Sequence, residues 1–312
     1  AALLLGGVAF LLLGGWPVAD GENRSELLST DWNLEWMRLQ ADRRRADDSF
    51  EWDKRARHFR PLETAPYARD FIKLLAIEPG ESVLDMGCGA GSIAIPLAQA
   101  GHSVIAADFS PAMLGTLDAG IEFYRLEGLI TPLELAWDDD WDLVGPVAKT
   151  VDVAFASRSV TTNDLKGALA KLDRTARRRC AVTMVANSSP RYDLHLMNAI
   201  GASVTCSNGF VYAFNILIQM GALPQVTYFE SPRRDTFDSL EAGVADFSRM
   251  LEHGNEDKID CLRGYIAQHM IENPHAGEPG SKGVPQGRYM LDHVRKVRWA
   301  FIAWEPVSAP NS

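Results

Sequence analysis

Three closely spaced glycines constrain this chain more than any other feature. Gly87, Gly89 and Gly91 follow the apolar run Val83-Leu84-Asp85-Met86 and lead into a helical segment from Ser92. Such a run reads as a buried strand, and glycine lets the backbone turn sharply with no Cβ between it and an approaching ligand. Pro96 early in the helix and Gly101 just past it mark the unit as strand, turn, helix. A dinucleotide fingerprint, G-x-G-x-x-G, would put its third glycine at position 92, where the chain has Ser92. The spacing found, G-x-G-x-G, lacks the usual pyrophosphate cradle. It suits a ligand with a nucleoside and a charged amino-acid tail.

A second apolar run, 103–107, ends at Asp108. An acid at the carboxyl tip of a second strand can accept hydrogen bonds from both hydroxyls of a ribose. Ser110-Pro111 then opens the next helix, with proline at its first position. Further apolar runs follow at 131–135, 151–156, 180–186, 225–229 and 297–304, and helical segments fall at 92–100, 111–127, 164–176 and 209–220. This alternation predicts a parallel sheet wrapped by helices on both faces. Two helical stretches between 236 and 273 interrupt it before the final run.

The segment VLDMGCGAGSIAIPLAQAGHSVIAADFSPAML resembles the first two strand–helix units of class I S-adenosylmethionine-dependent methyltransferases. The small-molecule branch, with the ubiquinone-type C-methyltransferases, is the nearest likeness. The resemblance implies a Rossmann-like, doubly wound, mostly parallel α/β sheet of seven strands in the order 3-2-1-4-5-7-6. Residues 77–312 would form this core, with the helical insertion at about 236–273. It also implies S-adenosyl-L-methionine as cofactor, with S-adenosyl-L-homocysteine as product. Asp85 and the turn Gly87, Cys88, Gly89 and Gly91 would hold the methionine moiety, and Asp108 the ribose. Phe109 and Met113 would pack near the adenine. Trp137 and Asp138 follow the third strand, where the family often has an acid for the adenine amino group; Asp139 and Asp140 are substitutes for it. Ser157 would line the methionine pocket.

No side chain stands out as a general base, and the family requires none, because methyl transfer depends mainly on aligning donor and acceptor and excluding water. The fourth strand runs into Ala156-Ser157-Arg158-Ser159, unlike the Asn/Asp-Pro-Pro-aromatic motif of enzymes that methylate nucleic-acid amino groups. No Pro-Cys pair is present, and no carboxylate set suggests a metal. Acceptor contacts are expected from Trp36, Trp52, Phe59 and Tyr67 on N-terminal helices within 26–76, a candidate lid, with polarity from Arg55 or His58. Arg158, Tyr192 and His195 are the candidates from the sheet's loops. The alternative for the aromatics is simple packing on the sheet.

The charge balance bears on partners. Lys and Arg number 31 against 41 Asp and Glu, a net charge of −10, which disfavours nucleic acid unless basic residues cluster. Arg43 to Arg45 and Arg177 to Arg179 are such clusters, the latter expected at a helix C-terminus. The four cysteines lack metal spacing and read as reduced, buried thiols of a cytoplasmic protein. Residues 1–25 are an apolar tail and linker. The uncharged run 1–18 leaves membrane contact open, either as an anchor or as an extension outside the working protein. The expected activity is methylation of a small-molecule acceptor. The rivals are a methyltransferase acting on RNA or protein, and a cofactor-binding module without catalysis. A nicotinamide dehydrogenase is the more distant one.

Overall fold

The computed structural model describes residues 29–43, 66–160, 162–251, 254–280 and 284–307. Its elements run α1 (Trp32–Arg43), α2 (Pro66–Leu75), β1 (Val83–Met86), α3 (Ala94–Gln99), β2 (Val104–Asp108), α4 (Pro111–Tyr124), β3 (Ile130–Glu134), α5 (Trp141–Val144), β4 (Val151–Ser157), α6 (Leu165–Thr175), β5 (Ala176–Val185), α7 (Leu194–Ala199), α8 (Phe210–Gln219), β6 (Gln225–Arg233), β7 (Thr236–Phe237), α9 (Leu240–Ser248), α10 (Ile259–His269), β8 (Met270–Glu272), β9 (Tyr289–Leu291) and β10 (Arg295–Trp304). Seven strands make one sheet in the order β3-β2-β1-β4-β5-β10-β6. β10 runs antiparallel between β5 and β6, and the pairings among β1 to β5 are parallel. This is the doubly wound sheet expected from the sequence. Pro132, which has no N–H for a ladder, is tolerated because β3 lies at the sheet's edge.

Strand side chains alternate between faces, and each face buries its own apolar cluster. Val83, Phe155, Ala181 and Phe301 pack under α2, α3 and α4. Leu84, Ala154, Val182 and Ile302 pack under α1, α6 and α8. Ser110 caps α4, its hydroxyl accepting from the Met113 amide, with Pro111 next.

The insertion differs from its expected form. It holds the two helices α9 and α10, but also a three-stranded antiparallel sheet, β7-β9-β8, and it continues to Leu291. Phe237, Val244, Phe247, Leu262, Ile266 and Leu291 give it a core shared with Leu196 and Met197 of α7. Its ends join β6 and β10 at the carboxyl edge of the parallel strands, so the insertion stands on the edge that carries the glycine turn.

Arg177 to Arg179 do not close a helix. α6 ends at Thr175, Ala176 is extended, and the arginines lie on β5. Each is committed to structure. Arg177 pairs with Asp152 at 2.7 Å, Arg178 pairs with Glu81, and Arg179 donates to the Leu74 carbonyl at 3.3 Å. Asp152 also accepts from the Ser82 amide and hydroxyl, and these hydrogen bonds hold its carboxyl low, at about 2. The thiols divide as well: Cys88 and Cys180 are buried, whereas Cys206 is half-buried and Cys261 exposed. Among the described residues no helix is long and apolar enough to cross a membrane, and none form a group able to hold a metal. The run 1–18 and Arg44 and Arg45 lie outside those residues.

Candidate cofactor and acceptor site

The three glycines turn the chain for three different reasons. All have positive φ: 77° at Gly87, 54° at Gly89 and 83° at Gly91. A Cβ on Gly87 would stand 2.2 Å from the Ser159 Cβ, and one on Gly91 would stand 2.5 Å from the Leu117 Cδ1. Those two positions are glycine because protein fills the space. Among the described residues a Cβ on Gly89 would meet only the Met113 sulfur, at 4.0 Å. The turn is thus open at Gly89, where a ligand can approach the backbone.

Two acids flank this opening. Asp85 is buried in β1, and its Oδ2 has no hydrogen-bond partner among the described residues. Burial, and then the charge of Asp108, push its carboxyl up to about 8, against a partial opposing pull from the Ala94 amide and Arg158. An orphaned buried carboxyl oxygen is costly, and a cationic ligand group would satisfy it. Asp108, at the tip of β2, accepts from the Gly89 amide at 2.8 Å and from the Ser110 amide at 2.9 Å. It therefore shapes the turn as well as facing the site. Burial, and then the two acids' charges, raise the Cys88 thiol well above its usual range and keep it protonated.

The rest of the candidate ring lies close by. Met113 is buried and Phe109 half-buried. Trp137 stacks on Trp141 with centroids 5.6 Å apart and donates its indole N–H to the Ser159 carbonyl at 2.8 Å. Of the three acids that follow, Asp139 accepts from the Ala136 amide and Asp140 caps α5, so both serve the loop. Among the described residues Asp138 makes one long contact, with the Thr162 hydroxyl at 3.4 Å. Ser159, not singled out in the sequence, locks the turn from below. Its hydroxyl donates to the Met86 carbonyl at 2.6 Å, while its Cβ fills the space beside Gly87. Only the three-dimensional approach of β4 to the turn reveals this serine.

The acceptor candidates separate. Trp36 is 1% exposed, donates to the Thr162 carbonyl, and packs on Tyr212, so it is core and not lid. Tyr67 is also buried; its hydroxyl bonds to those of Ser157, at 2.7 Å, and Thr183, at 2.6 Å. Burial raises its pKa. Trp52, Arg55, His58 and Phe59 lie outside the described residues. Tyr192 packs against the insertion's core, and His195 is exposed with its ring 4.5 Å from that of His293. Arg158 is brought to the site. It sits just past β4 with φ 61°, and its guanidinium lies 4.0 Å over the Tyr67 ring. That backbone conformation costs a non-glycine residue roughly 1–2 kcal/mol.

Known proteins supply the family. Residues 83–179 match the model of a methyltransferase domain. An uncharacterized protein of Haemophilus influenzae is 30% identical over 263 residues, which are 81% of this chain and 88% of that one. An uncharacterized methyltransferase of Synechocystis is 38% identical over 74 residues, 23% of this chain and 34% of that one. The ubiquinone biosynthesis O-methyltransferase of Hahella chejuensis is 33% identical over 99 residues, 30% of this chain and 41% of that one. The last two likenesses thus span less than half of either protein. Together with the sheet order and the glycine turn, these matches establish that the chain belongs to the class I S-adenosylmethionine-dependent methyltransferases.

Proposed function

We propose that the chain methylates a small-molecule acceptor, with Asp85 and the open turn at Gly89 holding the donor. The observation that carries the donor site is the orphaned, buried Oδ2 of Asp85. S-adenosylmethionine supplies an electrophilic methyl group on a sulfonium sulfur when bound. The residues present fit it. Asp85 would pair with the ammonium of its methionine part, and the backbone from Gly87 to Gly91 would line that part, with Ser157 beside it. Asp108 would take the ribose hydroxyls. Phe109, Met113 and Trp137 would flank the adenine, with Asp138 toward its amino group. The protein's own work is then to orient, to exclude water and to leave the acceptor's attacking atom in line.

Three observations favour a small acceptor. The chain carries a net charge of −10. The arginines of β5 are spent on structural contacts. One relative is named for ubiquinone biosynthesis. Dependence on this donor agrees with work in the cytoplasm.

The test is incubation of cell extract with donor carrying a labelled methyl group, followed by separation of small molecules, RNA and protein. Label is expected in the small-molecule fraction and absent when the enzyme is omitted. Enzyme-dependent label in RNA or protein would support the macromolecular rival. Tight donor binding with no labelled product in any fraction would support a non-catalytic module.

A further inference from the structure

The sheet's carboxyl edge carries opposite charges at its two ends. On the donor side stand Asp85 and Asp108. Across the same face, β4 and β5 contribute Ser157 and Thr183, directly paired, and β10 and β6 contribute Trp299 and Phe229, also paired. Tyr67 packs on both of these rings, with centroids 5.4 Å away in each case. Strand alternation then fixes what lies beyond. Ser231 shares the face of Phe229, and its hydroxyl accepts from the Trp299 indole at 2.8 Å. Two residues further, Arg233 shares that face, opposite Arg295 on β10. Arg158 reaches the same face from β4, its guanidinium 5.9 Å from the Trp299 ring.

These arginines are not equivalent. Arg295 is buried and pairs with Asp235 at 3.1 Å. The other nearby acid, Asp193, is taken by His293 at 2.8 Å. Arg233 donates to the Pro190 carbonyl, and Arg158 lies over an aromatic ring. Among the described residues neither forms an ion pair. Burial, and then the charge of Arg295, pull Arg233 below the usual arginine range; Asp235 opposes this and Arg158 adds a smaller push. Arg295 already has Asp235, and the repulsion left between the cations is relieved when a further anion joins them.

We infer that Arg158 and Arg233 bind an oxyanion, a carboxylate or phosphate group on the methyl acceptor. Guanidinium groups match such groups with paired N–H donors. The acid pair would select the cationic donor while the arginines select an anionic acceptor, so the two ligands are sorted by charge. This inference rests on the small-molecule reading and sharpens it.

The test has two arms. In the first, inorganic phosphate and acetate are titrated separately into the parent, Arg158→Gln and Arg233→Gln at constant ionic strength, with the thermal midpoint as readout. At least one anion should raise the parent's midpoint saturably in the millimolar range, and which one does so identifies the group. Arg158→Gln should abolish the rise, and Arg233→Gln should weaken binding at least tenfold. Affinity for S-adenosylhomocysteine should stay within about threefold in both variants, which also shows that they are folded. No response of the parent to either anion, or variants that respond like the parent, would overturn the inference. So would a large loss of cofactor affinity in Arg158→Gln, which would make that arginine part of the donor site.

In the second arm, labelled product from cell extract is passed over an anion exchanger at neutral pH. It should be retained, and Arg158→Gln should make at least tenfold less of it; unretained product would contradict the inference. If the parent labels only RNA or protein, the small-molecule reading fails, and the anion titration still decides the arginine site.

Discussion

Asp85→Asn is expected to make the protein more stable and unable to hold its cofactor. The folded chain keeps the Asp85 carboxyl protonated up to about pH 8, whereas the unfolded chain releases that proton near pH 4, roughly the ordinary aspartate value. Between those limits the folded state binds the extra proton, so the parent loses stability as pH rises from about 4 to 8 and levels off above. The ceiling on this cost is on the order of 6 kcal/mol, from about four pKa units at roughly 1.4 kcal/mol each. Asparagine carries no such cost. The variant's thermal midpoint should exceed the parent's by several degrees at pH 8 and by little at pH 5. Affinity for S-adenosylhomocysteine should fall at least about hundredfold, since a charge-assisted bond of about 3 kcal/mol is lost. A parent equally stable at both pH values would remove the basis for the raised carboxyl. A variant that binds normally would remove Asp85 from the site.

Gly87→Ala and Gly89→Ala should fail in opposite ways, although the positions are two residues apart. At Gly87 the new Cβ would overlap the Ser159 Cβ at 2.2 Å, and Ser159 is held by its bond to the Met86 carbonyl and by the Trp137 indole. With the strain of a positive φ added, a loss of about 3 kcal/mol or more is expected. At Gly89 the Cβ enters open space, so the fold should lose only about 1–2 kcal/mol from its left-handed backbone. Cofactor binding should nevertheless fall at least tenfold, because the Cβ stands where the ligand approaches. Thermal midpoints and cofactor affinities of the two variants, measured side by side, check this. Equal losses of stability would show that the turn is not open at Gly89.

Much of this molecule is legible in its sequence, for physical reasons. Strands buried on both faces read as largely apolar runs, which is why β1, β4 and the run 297–304 of β10 stand out despite Asp85, Asp152 and Arg298. The position of β10 between β5 and β6 comes from the family likeness and not from periodicity. The small sheet of the insertion is not legible: β7 has two residues, and β8 and β9 have three each, too few for any period to show. Arg177 to Arg179 look like a helix end because the strand begins immediately after Thr175, with no glycine between. At the site, Asp108 and the glycines are marked by spacing along the chain, and Asp85 by the family resemblance. Ser159 is not, since its role depends on β4 lying beside the turn. Trp36 and Tyr67 show the converse. An aromatic residue on an amphipathic helix has the same pattern whether it lines a pocket or packs a core, and both are core.

The central claim is that the turn from Gly87 to Gly91, with Asp85 and Asp108, is a site for S-adenosylmethionine and not for a dinucleotide. Titration calorimetry with S-adenosylhomocysteine and with NAD, on the parent and on Asp108→Ala, tests it most directly. The parent should bind S-adenosylhomocysteine saturably and NAD weakly or not at all. Asp108→Ala should bind S-adenosylhomocysteine at least tenfold more weakly, losing the ribose contacts together with the anchor on the Gly89 amide. A parent that prefers NAD, or an Asp108→Ala variant that binds as tightly as the parent, would contradict the account.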